Sequence, residues 1–366
     1  MTFSSYSAFK DLELLADVPG ELFSQKTAIY ERYLGPFCKI MDAQIQEGTI
    51  LGKNDIFRKY TDVIRWPIRK LEYSFVLHHA LPLLESGRHL RVLDAGCGAT
   101  PLPHLFAMMG AEVDAVDFDE DVIETLKTAR VNEVYGFPVN HQWMDLRRLA
   151  FCDSRFDIVT CVSVIEHLGN GDEELVLAEI MRVLDTGGKA ILTTDVRGGD
   201  HDPLNYKDRR YGEPFYLRIL DSLLAPYAQM LEGGLDQLKI LSGLQDDVIE
   251  SFWSSHGGPE STWQGNRGYV ALGIVLSKPS TGHCKSLVRD RSAGKSREPD
   301  EEDYLLKSQI RRSIELERAL EEKERLIREL DRALKEKRAG WVLQKPLQFL
   351  RNVWHHRANK RRDAKE

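Results

Sequence analysis

The stretch LDAGCGATPLPHLFAMMGAEVDAVDFDE, residues 93–120, decides the fold. An apolar run ends in an acid, Asp94, and two glycines, Gly96 and Gly98, follow one residue apart. A second acid, Asp117, closes another apolar run about twenty residues on. The pattern predicts strand, tight turn, helix and strand, with both acids near the carboxyl ends of their strands. Glycines let backbone pass close beneath a ligand in conformations closed to bulkier residues. A carboxylate at the tip of the second strand can accept both hydroxyls of a ribose. The stretch reads as half of a nucleotide site.

Working outward, residues 90–195 alternate strand and helix patterns: EVDAVD, EDVIETLKTARVNEVYG, VNHQWMD, FDIVTCVSVIEHL, EELVLAEIMRVL and GGKAILTTD. Alternating units of this length imply right-handed crossovers and a parallel sheet, so the class is doubly wound α/β. Residues 1–88 are predicted as a helical segment that lies over the site, and 89–278 as the α/β domain ending in a strand near 268–277. Within that domain, 196–265 is a polar, aromatic insertion whose Tyr206, Tyr211, Trp253 and Trp263 are candidates to stack on sugar rings.

Beyond it, 279–300 reads as a flexible linker rich in Ser, Gly, Lys and Arg. Residues 301–338 carry a heptad pattern, with Leu306, Ser313, Leu320, Ile327 and Leu334 in one register and Gln309, Leu316, Lys323 and Leu330 in the other. This predicts a C-terminal coiled-coil helix and a homo-oligomer. At 1.5 Å per residue the rod is about 57 Å long. In the tail, 339–366, a helix from Pro346 places Leu347, Phe349, Leu350, Val353 and Trp354 on one face beside a Lys/Arg cluster. That composition suits an anionic membrane surface, or docking on a protein.

The charge balance narrows the partners. The 366 residues carry 50 Lys and Arg against 57 Asp and Glu, a net charge of -7. Residues 281–366 hold 23 against 16, which leaves 27 against 41, or -14, for residues 1–280. So acidic a body is unsuited to nucleic acid, where phosphate contacts supply most nonspecific affinity. Five scattered cysteines with no CxxC pair suggest neither a zinc site nor a disulfide framework. No apolar run approaches the roughly 20 residues that span a bilayer. The expected location is cytoplasmic, with the tail peripheral on the inner face of the membrane.

A dinucleotide fingerprint would place a third glycine where Pro101 stands. LDAGCG instead resembles the first motif of the class I S-adenosylmethionine-dependent methyltransferases. The resemblance continues in register through VDAVDFDEDVIE, WMDL, FDIVTCVSVIEHL and EIMRVLDTGGKAILTTD. It implies a Rossmann-like methyltransferase fold, with a doubly wound, mostly parallel seven-stranded sheet, and S-adenosyl-L-methionine as cofactor. The cofactor would lie against Asp94, Gly96, Cys97, Gly98, Asp117, Phe118, Met144 and Asp145, with Asp145 accepting from the adenine amine.

Methyl transfer asks a protein to hold the acceptor in line and to accept a proton if the acceptor is a hydroxyl. Candidates near the ends of the fourth and fifth strand patterns are Glu166, His167, Asp195, His201 and Asp202; the resemblance gives the histidine of IEH an orienting role. Asp200, His201 and Asp202 lack regular ligand spacing, and no metal is expected. No Asn/Asp-Pro-Pro-aromatic tetrapeptide and no Pro-Cys pair occurs, which argues against base or amide substrates. RWPIRKLEYSFVLHHALPLL ahead of the glycine turn, with the rod and tail, resembles methyltransferases of bacterial surface-polysaccharide (O-antigen) synthesis. This implies a glycan or lipid-linked glycan acceptor and a glycan-synthesis partner protein. A small-molecule methyltransferase and a noncatalytic scaffold with the same fold remain the alternatives.

Overall fold

The computed structural model describes residues 9–15, 20–168, 171–197, 215–231, 234–236, 251–252, 254–256 and 269–280. The linker beyond residue 280, the heptads and the basic tail lie outside them, as do Asp200, His201, Asp202 and the four aromatics of the insertion.

The strands are β1 (Leu12–Leu14), β2 (Arg91–Ala95), β3 (Glu112–Asp117), β4 (Asn140–Trp143), β5 (Phe156–Val162), β6 (Leu184–Arg197), β7 (Phe215–Tyr216) and β8 (Val270–Ser277). Seven of them form one sheet in the order β1-β8-β6-β5-β2-β3-β4, with the two-residue β7 pairing the end of β6. β2 to β6 run parallel, whereas β8 is antiparallel to both β6 and β1. Val92, Leu93, Asp94 and Ala95 of β2 are all buried, as befits a central strand covered on both faces.

Helices α5 (Leu102–Met108), α6 (Glu120–Thr128) and α7 (Val131–Tyr135) connect β2, β3 and β4. Helix α8 (Asp172–Val183) connects β5 to β6. From β2 the chain steps one way through β3 and β4, while β5 and β6 lie on β2's other side. Right-handed crossovers then put the two helix sets on opposite faces, and the order reverses between β2 and β5. The carboxyl ends of those two strands therefore flank the crevice where open α/β sheets hold ligands.

Three expectations need correction. Residues 1–88 are not all helical: after α1 (Gly20–Tyr33), α2 (Gly35–Gln46), α3 (Asp55–Val63) and α4 (Pro67–Leu84) are set aside, Leu12–Leu14 forms an edge strand on β8. Three residues are too few for periodicity to reveal. Lys26 of α1 ion-pairs with Glu13 and sits over the Phe9 ring at 4.3 Å, which anchors that strand. The helix expected from Glu120 to Gly136 breaks at Arg130, whose φ of +53° is left-handed. The strand expected over GGKAILTTD begins earlier, at Leu184, and takes Gly187 and Gly188 inside it where the register slips, Phe156 pairing with Leu184 but Ile158 with Lys189.

Helix α4 is buried almost throughout and packs on β5, β6 and β8. At its contact with the sheet the Phe75 ring lies against Gly273, where any Cβ would come 2.5 Å from the ring. This docking delivers the residues at the start of α4 to the crevice.

Candidate functional site

After β2 the chain turns at Gly96 (φ +80°) and Gly98 (φ +54°), in the region that glycine enters without a Cβ penalty. The Gly96 and Cys97 amides donate to the Val116 carbonyl at 2.8 and 3.0 Å, which fastens the turn to β3. The Gly98 amide donates to Oδ2 of Asp117 at 2.8 Å, and the Asp119 amide to Oδ1 at 2.9 Å. Each carboxylate oxygen thus holds one backbone donor and keeps acceptor capacity for a ligand hydroxyl. Burial pushes the Asp117 carboxyl up, and these amides oppose the shift.

Asp94 lies beneath the turn, buried, and accepts from Thr160 Oγ1 at 2.6 Å. Burial pushes its carboxyl up to about 7. It braces the turn against β5. Cys97 is buried, and burial pushes its thiol up, so the residue serves the turn through its backbone rather than as a nucleophile.

At the far end of the crevice, Trp143 Nε1 donates to the Phe118 carbonyl at 2.8 Å, and the two rings lie 6.1 Å apart. Trp143 is 41% exposed. Met144 is buried, its amide bound to the Asp117 carbonyl at 3.0 Å. Asp145 makes a bidentate pair with Arg147, which also reaches Asp172. Of the expected cofactor contacts here, Met144 lies in the core and Asp145 is already held by a guanidinium, while the neighbouring Trp143 is exposed.

The turn is covered from the N-terminal side. A Cβ on Gly98 would meet Tyr60 Cε1 of α3 at 2.4 Å, and one on Gly96 would meet Val164 Cγ2 at the same distance. Burial first, then the neighbouring Asp117 charge, push the Tyr60 hydroxyl up. Asn54 caps α3 and donates to Thr125 of α6 at 3.1 Å, which fixes the helix over the site.

Across the crevice, at the ends of β5 and β6, lies a buried polar cluster. Arg69 of α4 bonds to Glu72 and to Ser163, and Ser163 bonds to Glu72 in turn. Thr193 Oγ1 donates to Glu72 at 2.7 Å, and Arg69 Nη2 stands 3.7 Å from Asp195 Oδ2. Thr194 Oγ1 donates to Glu166 at 3.1 Å. Ser163 takes a φ of +52° and donates its amide to the Thr193 carbonyl at 3.0 Å. Burial pushes the Asp195 carboxyl well up, against the pull of Arg69 and with the help of Glu166 and Glu72.

The structure therefore separates the IEH pair: Glu166 turns into this cluster, whereas His167 is exposed. Sequence reasoning did not find Arg69, Glu72, Ser163 or Tyr60. The available signal was a charged i, i+3 pair, Arg69 and Glu72, inside the otherwise apolar run of α4. Among the described residues, no group of three or more His, Cys, Asp and Glu could hold a metal ion, and no helix is long and apolar enough to cross a membrane.

Residues 93–192 match the family model described as a methyltransferase domain. This span runs from the glycine turn to β6. A ubiquinone biosynthesis O-methyltransferase of Coxiella burnetii is 30% identical over 148 residues, 40% of this chain and 58% of that protein. The protein of the same name from Psychrobacter arcticus is 27% identical over 162 residues, 43% of this chain and 61% of that one. The chain thus spans about three fifths of these relatives. Among solved structures, the YcgJ protein of Bacillus subtilis aligns with 56% of this chain and 100% of its own, at 21% identity and a TM-score of 0.36.

Proposed function

We infer that the protein is an S-adenosylmethionine-dependent methyltransferase that acts on a hydroxyl oxygen. The observation that carries this reading is Asp117, a carboxylate at the tip of β3 tied to the Gly98 amide in the crevice where the strand order reverses. Bound there, S-adenosylmethionine would supply an electrophilic methyl group. Asp117 would accept from its ribose, the 96–98 turn would pass beneath it, and Phe118 and Trp143 would flank its base. The match over residues 93–192 supports the same reaction class.

The relatives' shared name supports oxygen as the receiving atom, and supports a small-molecule hydroxyl ahead of the surface glycan that the rod and tail suggest. Incubating the full chain with methyl-labelled S-adenosylmethionine and separate hydroxylated aromatic, free sugar and lipid-linked glycan acceptors tests this. Label in the aromatic fraction supports the small-molecule reading, label in the glycan fraction replaces it, and no acceptor-dependent label in any arm overturns hydroxyl transfer.

The heptads at 306–334 and the basic apolar stripe after Pro346 support a homo-oligomer held on an anionic membrane surface at its cytoplasmic face. Light scattering by the full chain, and its sedimentation with anionic against neutral vesicles, would test both. A monomer that ignores both vesicles would remove this part of the reading.

A further inference from the structure

Asp195 has a geometry that bracing of the fold does not require. It is 7% exposed, its Oδ2 faces Arg69 at 3.7 Å, and its Oδ1 has no hydrogen-bond partner among the described residues. A buried acceptor left bare is costly, so its retention needs an explanation. The charges around it are lopsided. Arg69 and Glu72 face it from α4, Glu166 from the turn after β5, and the Tyr269 hydroxyl from the residue before β8. Among the described residues, the Arg69 guanidinium is the cation that faces these three carboxyl groups.

The cluster lies beside the glycine turn. Val164 contacts Gly96, Ser163 is bonded to Thr193, and Asp195 follows two residues later on the same strand. With strand order β6-β5-β2-β3-β4, a ligand that set its ribose on Asp117 and its base toward β4 would extend its other end across β2 toward β5 and β6. That end carries the sulfonium.

We propose that Asp195 is the general base, and that it gives up its proton when a positive charge is placed beside it, so that loading of the methyl donor arms it for the acceptor. This rests on the function inferred above. In the free protein burial pushes the carboxyl well up, toward its neutral form, against the pull of Arg69. A sulfonium alongside supplies the counter-charge that Arg69, shared with Glu72, does not, and the proton leaves to solvent. In the transfer the acceptor O–H proton passes to Oδ1 of Asp195 as the O–CH3 bond forms. The S–CH3 bond breaks and its electron pair stays on sulfur. The product thioether is neutral, and the protonated carboxyl is again the favoured form beside it.

The test needs no acceptor. S-adenosylmethionine and S-adenosylhomocysteine are titrated calorimetrically into the full chain at pH 7, in buffers of different ionisation enthalpy. The expected result is release of about one more proton with the sulfonium ligand than with the thioether. Affinity for the sulfonium ligand should accordingly rise up to about tenfold per pH unit, relative to the thioether, across the range where the carboxyl is neutral. In Asp195→Asn both ligands still bind and the difference disappears. Equal proton release by the wild type, or a difference that survives in Asp195→Asn, would overturn the proposal. If that variant fails to fold, Asp94→Asn is titrated beside the wild type, because the Asp94 carboxyl also lies high beneath the turn: a proton difference that survives in it supports Asp195, and one that disappears overturns the proposal. If neither ligand binds the wild type, it is the cofactor reading that fails.

Discussion

The backbone amide of Gly98 donates to Oδ2 of Asp117 at 2.8 Å, across the gap between the turn after β2 and the tip of β3. One carboxylate therefore both shapes the turn and presents itself to a ligand. Charge-assisted hydrogen bonds of this kind contribute about 1.5–3 kcal/mol each. Asp117→Asn keeps the side chain's shape and one acceptor, and should weaken S-adenosylmethionine about tenfold while leaving the melting temperature within a few degrees. Fluorescence titration with a parallel melt separates loss of ligand from loss of fold. Unchanged affinity would remove Asp117 from the site.

Gly98→Ala should destabilise the protein by about 1–3 kcal/mol, as overpacking does, because its Cβ would lie 2.4 Å from Tyr60 Cε1. Tyr60→Ala in the same chain vacates that space. The pair should therefore be non-additive by about 1 kcal/mol in urea melts, within the range for contacting residues. Strict additivity would mean that α3 does not cover the turn.

Gly273→Ala tests the docking of α4. Its Cβ would stand 2.5 Å from Phe75, so a loss of about 1–3 kcal/mol is expected, smaller in a Phe75→Leu background. Because Arg69 and Glu72 ride on α4, donor binding should weaken along with stability. A stable Gly273→Ala protein would contradict the close approach.

Acid should unfold the protein through its buried histidines. His104 and His141 lie with ring centroids 5.3 Å apart, and burial holds them down to about 4 and about 3. Neutral in the fold and near 6.5 when unfolded, each binds its proton preferentially in the unfolded chain. Stability is then full above about pH 6.5 and falls below it by up to about 1.4 kcal/mol per pH unit for each ring. His104→Gln with His141→Gln should flatten the pH dependence of urea unfolding between pH 6.5 and 4.5. An unchanged slope would show that the rings are protonated in the fold.

Much of this was legible in the chain. The strand and turn periodicities gave the doubly wound sheet, and the Gly96, Gly98 and Asp117 spacing gave the turn, because those residues act through local backbone geometry. The edge strand at Leu12–Leu14 was not legible, since its strand character comes from β8, about 260 residues away. Nor was the role of Arg69 and Glu72, which reach the crevice through the packing of α4 on β5, β6 and β8. Glu166 and His167 are neighbours in sequence, and only the 3-10 turn at Ile165–His167 sends one inward and leaves the other exposed.

The most direct measurement is calorimetric titration of S-adenosylmethionine and S-adenosylhomocysteine into the full chain and into Asp117→Ala. Saturable binding of both ligands to the wild type is expected, with affinity about 10- to 100-fold weaker in the variant, from the loss of hydrogen bonds to a charged group. Absence of heat and of thermal stabilisation with either ligand in the wild type would contradict it.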